Sequence, residues 1–227
     1  MILVLDLDDT LYPESEYALS GFAAVGHWLK VHSAVEDFEL HARELFLSGV
    51  HDHVFDRTLD LLNLPVTEDL IRTLVQVYRD HEPTITLHPD ARWALDHFGS
   101  SVDLGMITDG FLQSQKRKIH ALGIAPLFRT IVYSDEMGRD HWKPSQTPYL
   151  RLMNESGLPG SSCIYVSDNP AKDFVAAIAL GWHTIRIRRE DGIYSHLEAA
   201  PGYEPHREIS SLYQLDGILQ SISDVFN

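Results

Sequence analysis

Apolar residues follow two patterns along the chain. Short runs rich in branched and aliphatic residues recur at positions 2–5, 102–107, 130–133, 163–166 and 183–187. Runs of this length, bounded by polar residues, suit strands buried on both faces of a parallel sheet. Between them the period becomes helical. Positions 111–122 lead to Gly123, a residue that ends helices well. Pro148 stands where a helix would begin, ahead of 149–155. The stretch 171–180 stops at Gly181. Strands alternating with helices predict βαβ units, a parallel sheet and an α/β fold.

One long stretch breaks this rhythm. From position 13 to 82 there is no strand-like run. Ala18, Phe22, Val25 and Leu29 fall at i, i+4, i+7 and i+11, a helical stripe. Leu70, Leu74 and Val77 repeat it. The pattern predicts an all-helical insertion over 13–82, with the α/β core formed by 1–12 and 83–227. The tail from 208 predicts a short strand and a closing helix from Ser211, with Leu212, Leu215 and Leu219 on its apolar face. No internal repeat or low-complexity tract is present.

Composition adds exclusions. The 227 residues include 18 Lys+Arg and 33 Asp+Glu, a formal net charge of −15. Nucleic acids and anionic membranes attract positive surfaces, so neither is an expected partner. The insertion carries 13 acids and 5 bases, and is the more acidic part per residue. One cysteine, Cys163, excludes a disulfide framework and suits a reducing, cytoplasmic setting. The apolar start is cut short by Asp6, too soon for a signal sequence or a membrane span.

Four short segments carry chemistry. Asp6-Leu7-Asp8-Asp9-Thr10 follows the first apolar run, where open parallel sheets bind ligands. Side chains two apart on an extended backbone share a side, so Asp6 and Asp8 can converge. Converging carboxylates resist ionising together without a cation or a shared proton. An oxygen-liganded divalent ion, magnesium above all, fits. The plainer reading is a turn and a helix cap. Thr108-Asp109-Gly110 ends the second run and opens a helix, giving a hydroxyl and backbone N–H groups for an anion, or a simple N-cap. Lys143, one of five lysines, precedes Pro144, which restricts the backbone beside it. Ser167-Asp168-Asn169-Pro170-Ala171-Lys172-Asp173 follows the fourth run and places two acids around a helix start.

Taken in order, these segments resemble the haloacid dehalogenase-like hydrolase superfamily. The resemblance rests on Asp6 to Thr10, Thr108, Lys143, and Asp168 with Asp173. The helical stretch bearing Gln115, Lys118, Leu122 and Gly123 supports it. The insertion stands where the family carries its helical type 1 cap. The resemblance implies a Rossmann-like three-layer core plus that cap. It implies a magnesium-dependent phosphatase for a small phosphorylated metabolite, passing through an aspartyl-phosphate. In it Asp6 is the nucleophile, Asp8 the general acid and base, and Thr10 the residue orienting Asp8. Thr108, with the backbone of Asp109 and Gly110, and Lys143 bind the phosphoryl group. Asp6, the Asp8 carbonyl and Asp168 hold Mg²⁺, while Asn169 and Asp173 support. Family dehalogenases and phosphonatases lack an acid at the position of Asp8, and the latter use a cap lysine. Lys30 alone occupies the insertion and reads as a surface residue. A phosphomutase keeps the acid and stands as the alternative, although Thr10 favours a phosphatase. A receiver-like phospho-switch fits poorly, because the insertion occupies the interval where its phosphoaccepting acid would lie. Sugar phosphates, nonulosonate-type phosphates and nucleotide monophosphates are candidate substrates, with 166–174 similar to acylneuraminate-phosphatase-like members. The protein is expected to be a monomer or homodimer.

Several features depart from the pattern or distract from it. Ser167 replaces a common glycine, Asn169 replaces a second acid, and 138–142 is a longer lead-in to Lys143. His51, Asp52 and His53 suggest a metal cluster, but residues two apart on a helix diverge. Cys163 reads as buried and inert, and Trp28, Trp93 and Trp182 as packing. Tyr12, Pro13 and Glu14 occupy the family's flap, where leaving groups are contacted.

Overall fold

A computed structural model describes the backbone of residues 1–226, and side chains through Ile222. The strands are β1 (Ile2–Leu5), β2 (Asp103–Thr108), β3 (Thr130–Tyr133), β4 (Cys163–Ser167), β5 (His183–Ile187) and β6 (Arg207–Ile209). They form one sheet in the order β3-β2-β1-β4-β5-β6, with every pair parallel. Strands leave β1 in both directions, so the order reverses there. Right-handed crossovers then carry the connections to opposite faces and leave a crevice beyond the carboxyl ends.

The helices are α1 (Glu14–Ser33), α2 (Phe38–Leu47), α3 (Val54–Leu61), α4 (Glu68–Asp80), α5 (Pro89–Phe98), α6 (Leu112–Leu122), α7 (Thr147–Ser156), α8 (Asp173–Ala179) and α9 (Leu215–Phe226). By internal contacts the chain divides into Met1–Glu14 with Thr86–Asn227, and Ser15–Ile85.

In the first unit the pleat sends Ile2 and Val4 to one face and Leu3 and Leu5 to the other. On the first face Ile2, Val4, Ile107, Cys163 and Tyr165 pack with Tyr149 and Leu152 of α7, Phe174 of α8, and Trp182. Tyr149 meets the rings of Tyr165 and Trp182 edge-on at 5.3 and 5.4 Å. Its hydroxyl donates to the Asp173 carbonyl at 2.7 Å, which ties α7 to the start of α8. Cys163 is fully buried, and burial pushes its thiol up to about 11.

Helix ends follow the expected chemistry in most places. Gly123 closes α6 with φ 66°, and Pro148 lies in the first turn of α7. The helix expected from 171 instead starts at Asp173. Asn169 Oδ1 accepts from the Ala171 N–H at 3.0 Å, so a side-chain turn takes the place of the first helical turn.

The second unit is helical throughout. Ala18, Phe22, Val25 and Leu29 are buried on α1. On α4 only Leu74 is fully buried, while Leu70 and Val77 are half-buried. An aromatic cluster joins Tyr17, Phe22, Phe55 and Tyr78. Trp28 is half-buried and stacks on His32. His51, Asp52 and His53 are exposed and, among the described residues, form no metal-type cluster. No helix of the described residues is long and apolar enough to cross a membrane.

Gly21 of α1 lies against the ring of Tyr78 on α4: a Cβ there would lie 2.3 Å from Tyr78 Cε2. The Tyr78 ring is hemmed in by Tyr17, Phe22 and Phe55, so it cannot simply swing aside. Gly21→Ala is expected to destabilise the chain by about 1–3 kcal/mol, the usual range for overpacking. Thermal or urea unfolding checks this, and an unchanged midpoint would contradict the packing.

Candidate active site

The site is built at the carboxyl ends of β1, β2 and β4. Asp6 extends the β1–β4 ladder by one bond, its N–H donating to the Val166 carbonyl at 2.9 Å. That fixes its backbone and turns its carboxylate toward Lys143. Lys143 Nζ reaches Asp6 Oδ1 at 2.8 Å, Asp173 Oδ1 at 2.7 Å and the Tyr165 hydroxyl at 3.0 Å. Two of the ammonium's donors are hydrogen-bonded, to Asp6 and Tyr165, while Asp173 Oδ1 pairs with it by charge and makes no hydrogen bond among the described residues. The lysine side chain is 1% exposed. Burial alone would lower its pKa, but Asp173 and Asp6 hold it well above the ordinary value.

Asp173 is fixed from both sides. Its Oδ2 accepts from Ser167 Oγ at 2.6 Å and from the Asn169 N–H at 3.0 Å. The serine found in place of a glycine therefore has a task, pinning the acid that faces Lys143. Asn169 directs its side-chain oxygen to Ala171, so it shapes the loop.

Asp8 is held by a different group. Its Oδ1 accepts from the Tyr12 hydroxyl and from Lys118 Nζ at 2.7 Å. Its Oδ2 accepts from Gln115 Nε2 at 2.9 Å. The same amide reaches Thr108 Oγ1 at 2.5 Å, linking the ends of β1 and β2. Burial would raise Asp8, but Lys118 and these hydrogen bonds keep it below the usual carboxylate range. Thr10 does not orient Asp8. Its buried hydroxyl has no partner among the described residues, and its carbonyl instead accepts from Arg189 at 2.8 Å. Orientation comes from α6 and Tyr12, because the chain turns between Asp8 and Thr10 and carries Thr10 inward.

After β2, Asp109 accepts from the Lys143 backbone N–H at 3.2 Å and from Lys172 Nζ at 3.2 Å. Despite burial, Lys143 and Lys172 hold its pKa low. Gly110 has φ 127°, and a Cβ there would lie 3.0 Å from the Gln115 side chain. Only glycine lets this loop turn so close to Gln115.

A cavity of about 190 Å³ opens over these groups. Asp6, Asp8, Asp109, Gly110, Asp168 and Asn169 line it, as do Glu14, Trp142, Lys172 and Tyr194. Thr108 and Lys143 are buried outside that lining. The sequence profile of the haloacid dehalogenase-like hydrolases matches residues 1–181. The chain belongs to this family.

Similar proteins agree. A glyceraldehyde 3-phosphate phosphatase of Methanopyrus kandleri is 27% identical over 205 residues, covering 86% of each chain. The N-acylneuraminate-9-phosphatase of Rattus norvegicus is 28% identical over 139 residues, 61% of this chain and 54% of that one. In fold, the HAD-hydrolase YfnB of Bacillus subtilis, crystallised bound to magnesium, superposes with a TM-score of 0.70 at 18% identity. That match covers 96% of this chain and 97% of YfnB.

The cavity carries an excess of buried negative charge. Asp6, Asp168 and Asp173 each offer an oxygen within 4.8 Å of the others. Asp173 has its Oδ2 held by Ser167 and Asn169, and its Oδ1 faces Lys143 as an ion pair without a hydrogen bond. Asp6 and Asp168 remain as hard oxygen donors, which is what a divalent cation such as magnesium takes. Burial pushes Asp6 up to about 7 against the pull of Lys143. Burial, then Asp173 and Asp6, push Asp168 well above its ordinary value. Glu14 is pushed up to about 8 by burial and by Asp8. A buried dication opposes all three shifts, so the donor set fits one.

Sequence reasoning missed several of these groups. Gln115 and Lys118 lie three apart on α6, so their shared face was visible; that it faces Asp8 was not. Tyr165 alternates inward on β4 and reads as core. Tyr194 lies in an aperiodic loop and gave no signal.

The raised acids fix a pH dependence for the metal-free chain. A carboxyl with a raised folded pKa stabilises fully below its unfolded value, near 4, and loses that contribution as pH climbs through the folded value. For Asp6 and Glu14 the window runs from about 4 to about 7 and about 8. Chelator-treated protein should therefore melt at a lower temperature at pH 8 than at pH 6. Mg²⁺ should raise the melting temperature more at pH 8. Melting curves at the two pH values check both; an equal Mg²⁺ effect would argue against the acidic cluster as its site.

Proposed function

We propose that this hydrolase cleaves small phosphomonoesters through a phosphoryl group carried on Asp6. The observation that supports it best is the pairing of Asp6 and Asp8 in one cavity, each held by its own lysine. Asp6, fixed by the ladder and by Lys143, is the nucleophile, and splits one difficult displacement into two. Asp8 is the acid–base group. Protonated, it hands its proton to the departing oxygen; ionised, it takes one from the water that attacks the phosphoaspartate. Lys118 favours the ionised, water-activating form.

Lys143 neutralises the nucleophile from beneath. Thr108 and the Asp109–Gly110 backbone form the phosphoryl cradle, with Gln115 holding the Thr108 hydroxyl in register with Asp8. Asp6, Asp168 and the Asp8 carbonyl would hold Mg²⁺, which supplies positive charge at the phosphoryl oxygens. Asp173 and Asn169 support the loop that presents Asp168. The helical unit, in sequence between the first two motifs, takes the part of the family's type 1 cap. Relatives named for glyceraldehyde 3-phosphate and N-acylneuraminate 9-phosphate support a sugar-type or other small metabolite phosphate as substrate.

Asp6→Asn should keep the fold and lower p-nitrophenyl phosphate turnover by at least about a thousandfold, as nucleophile removal does elsewhere. Near-wild-type turnover would sink the mechanism. Chelation with EDTA should silence the wild-type chain and added Mg²⁺ should restore it. Phosphate release that persists after thorough chelation would remove Asp168 from the ligand set. A panel of phosphorylated metabolites, scored by phosphate release, ranks the substrates.

A further inference from the structure

Asp9 sits between the nucleophile's partner Asp8 and Thr10, yet its carboxylate serves neither. Its backbone is left-handed, φ 50°, a conformation that favours glycine. Its buried carboxylate makes two short bonds to distant backbone. Oδ1 accepts the Glu14 N–H at 2.7 Å, and Oδ2 accepts the Ile193 N–H at 2.7 Å. One side chain therefore clasps the segment after the first motif to the loop after β5.

Arginines hold the same loop elsewhere. Arg189 donates to the Thr10 carbonyl at 2.8 Å and to Asp90 Oδ2 at 2.9 Å. Arg186, buried, donates to the Tyr194 carbonyl at 3.0 Å. The loop is thus anchored on both sides of residue 192. It presents half-buried Tyr194 to the cavity that holds Asp6 and Asp8, with Glu14 also in its wall.

We infer that Tyr194 contacts the leaving group of the substrate and reads its hydroxyls, and that Asp9 is the positioning residue that mounts Tyr194 there. The inference rests on the phosphomonoesterase reading and narrows its substrate class to esters of small polyols or aldoses. The cradle around Asp109 and Gly110 takes the phosphoryl end. What remains of a small cavity includes the phenol of Tyr194 and the carboxyl of Glu14, beside Trp142, Asn169 and Lys172. A phenol both donates and accepts, and a carboxyl accepts. An alkyl leaving group would bury both without partners, and sites built to bond hydroxyls discriminate against such analogues.

Glycerol 1-phosphate and n-propyl phosphate test this, because they share the phosphoryl group and the three-carbon length and differ by two hydroxyls. Binding is measured calorimetrically at one fixed Mg²⁺ concentration on the Asp6→Asn chain, which lacks the nucleophile and keeps a neutral oxygen where Asp6 would ligate the metal, so parent and variants share one metal site. That parent should bind glycerol 1-phosphate more tightly than n-propyl phosphate. Adding Tyr194→Phe should weaken glycerol 1-phosphate about tenfold, the loss of one good hydrogen bond, and leave n-propyl phosphate within about twofold. Adding Asp9→Gly, which suits the backbone and removes both clasps, should do the same. Asp9→Asn, keeping one acceptor, should fall between. Equal losses for both ligands, loss for neither, or a parent without preference would overturn the inference. Tyr194→Phe carries the test if the Asp9 variants unfold. Selective binding by a wild-type chain that hydrolyses no phosphomonoester would overturn the phosphatase reading and leave the subsite standing.

Discussion

A single buried ammonium, that of Lys143, joins three parts of the site: Asp6 after β1, Tyr165 on β4 and Asp173 at the start of α8. Burying these charges is expensive, and the arrangement is tolerable because the lysine donates to Asp6 and Tyr165 and has the opposite charge of Asp173 2.7 Å away. Removing one partner of such a pair costs about 3–5 kcal/mol, since the other charge is left buried and alone. Ser167 and Asn169 then hold the far oxygen of Asp173, so the lysine has a rigid seat. Asp168, beside them, has no comparable cation among the described residues, an imbalance that a bound divalent ion would offset.

The two acids of the first motif are chemically equal and are set apart by their surroundings. Asp6 is pushed up by burial and Asp8 is drawn down by Lys118, Tyr12 and Gln115. Environments that drive neighbouring carboxyls in opposite directions are how one cavity obtains different roles from identical groups. Gln115 couples the pair of motifs: one amide bonds Asp8 and Thr108, and Gly110 leaves the room for it.

Much of the core was readable because fully buried parallel strands are short apolar runs, and the residues just beyond them are the ones a parallel sheet presents to ligand. Asp6, Thr108 and Asp168 each stand at such an end. Strand limits moved by a residue, at Thr108 and Ser167, where polar side chains continue the ladder. Period also fixes a face without saying how much covers it, hence the half-buried Leu70 and Val77. Adjacency misled at Thr10, which neighbours Asp8 in sequence and turns away from it. Lys118 and Tyr194 were hidden for the opposite reason. Lys118 meets Asp8 across 110 positions, and the loop carrying Tyr194 is clasped by Asp9 across 184. No local pattern encodes contacts of that span.

The chain's acidity takes on a different meaning beside its lysines. Of five, Lys118, Lys143 and Lys172 each bond an acid of the site, on Asp8, Asp6 with Asp173, and Asp109. The other two make exposed surface pairs, Lys30 with Glu36 and Lys116 with Glu136. The site is therefore the one place where a strongly negative chain concentrates ammonium groups. Buried charges are little screened, whereas the exposed acids lose their influence within about a Debye length. A compact dianion such as a phosphoryl group responds to the local cations and to any bound metal. A long polyanion would extend beyond them and meet the unbalanced surface, so this charge distribution favours a compact anion over an extended one.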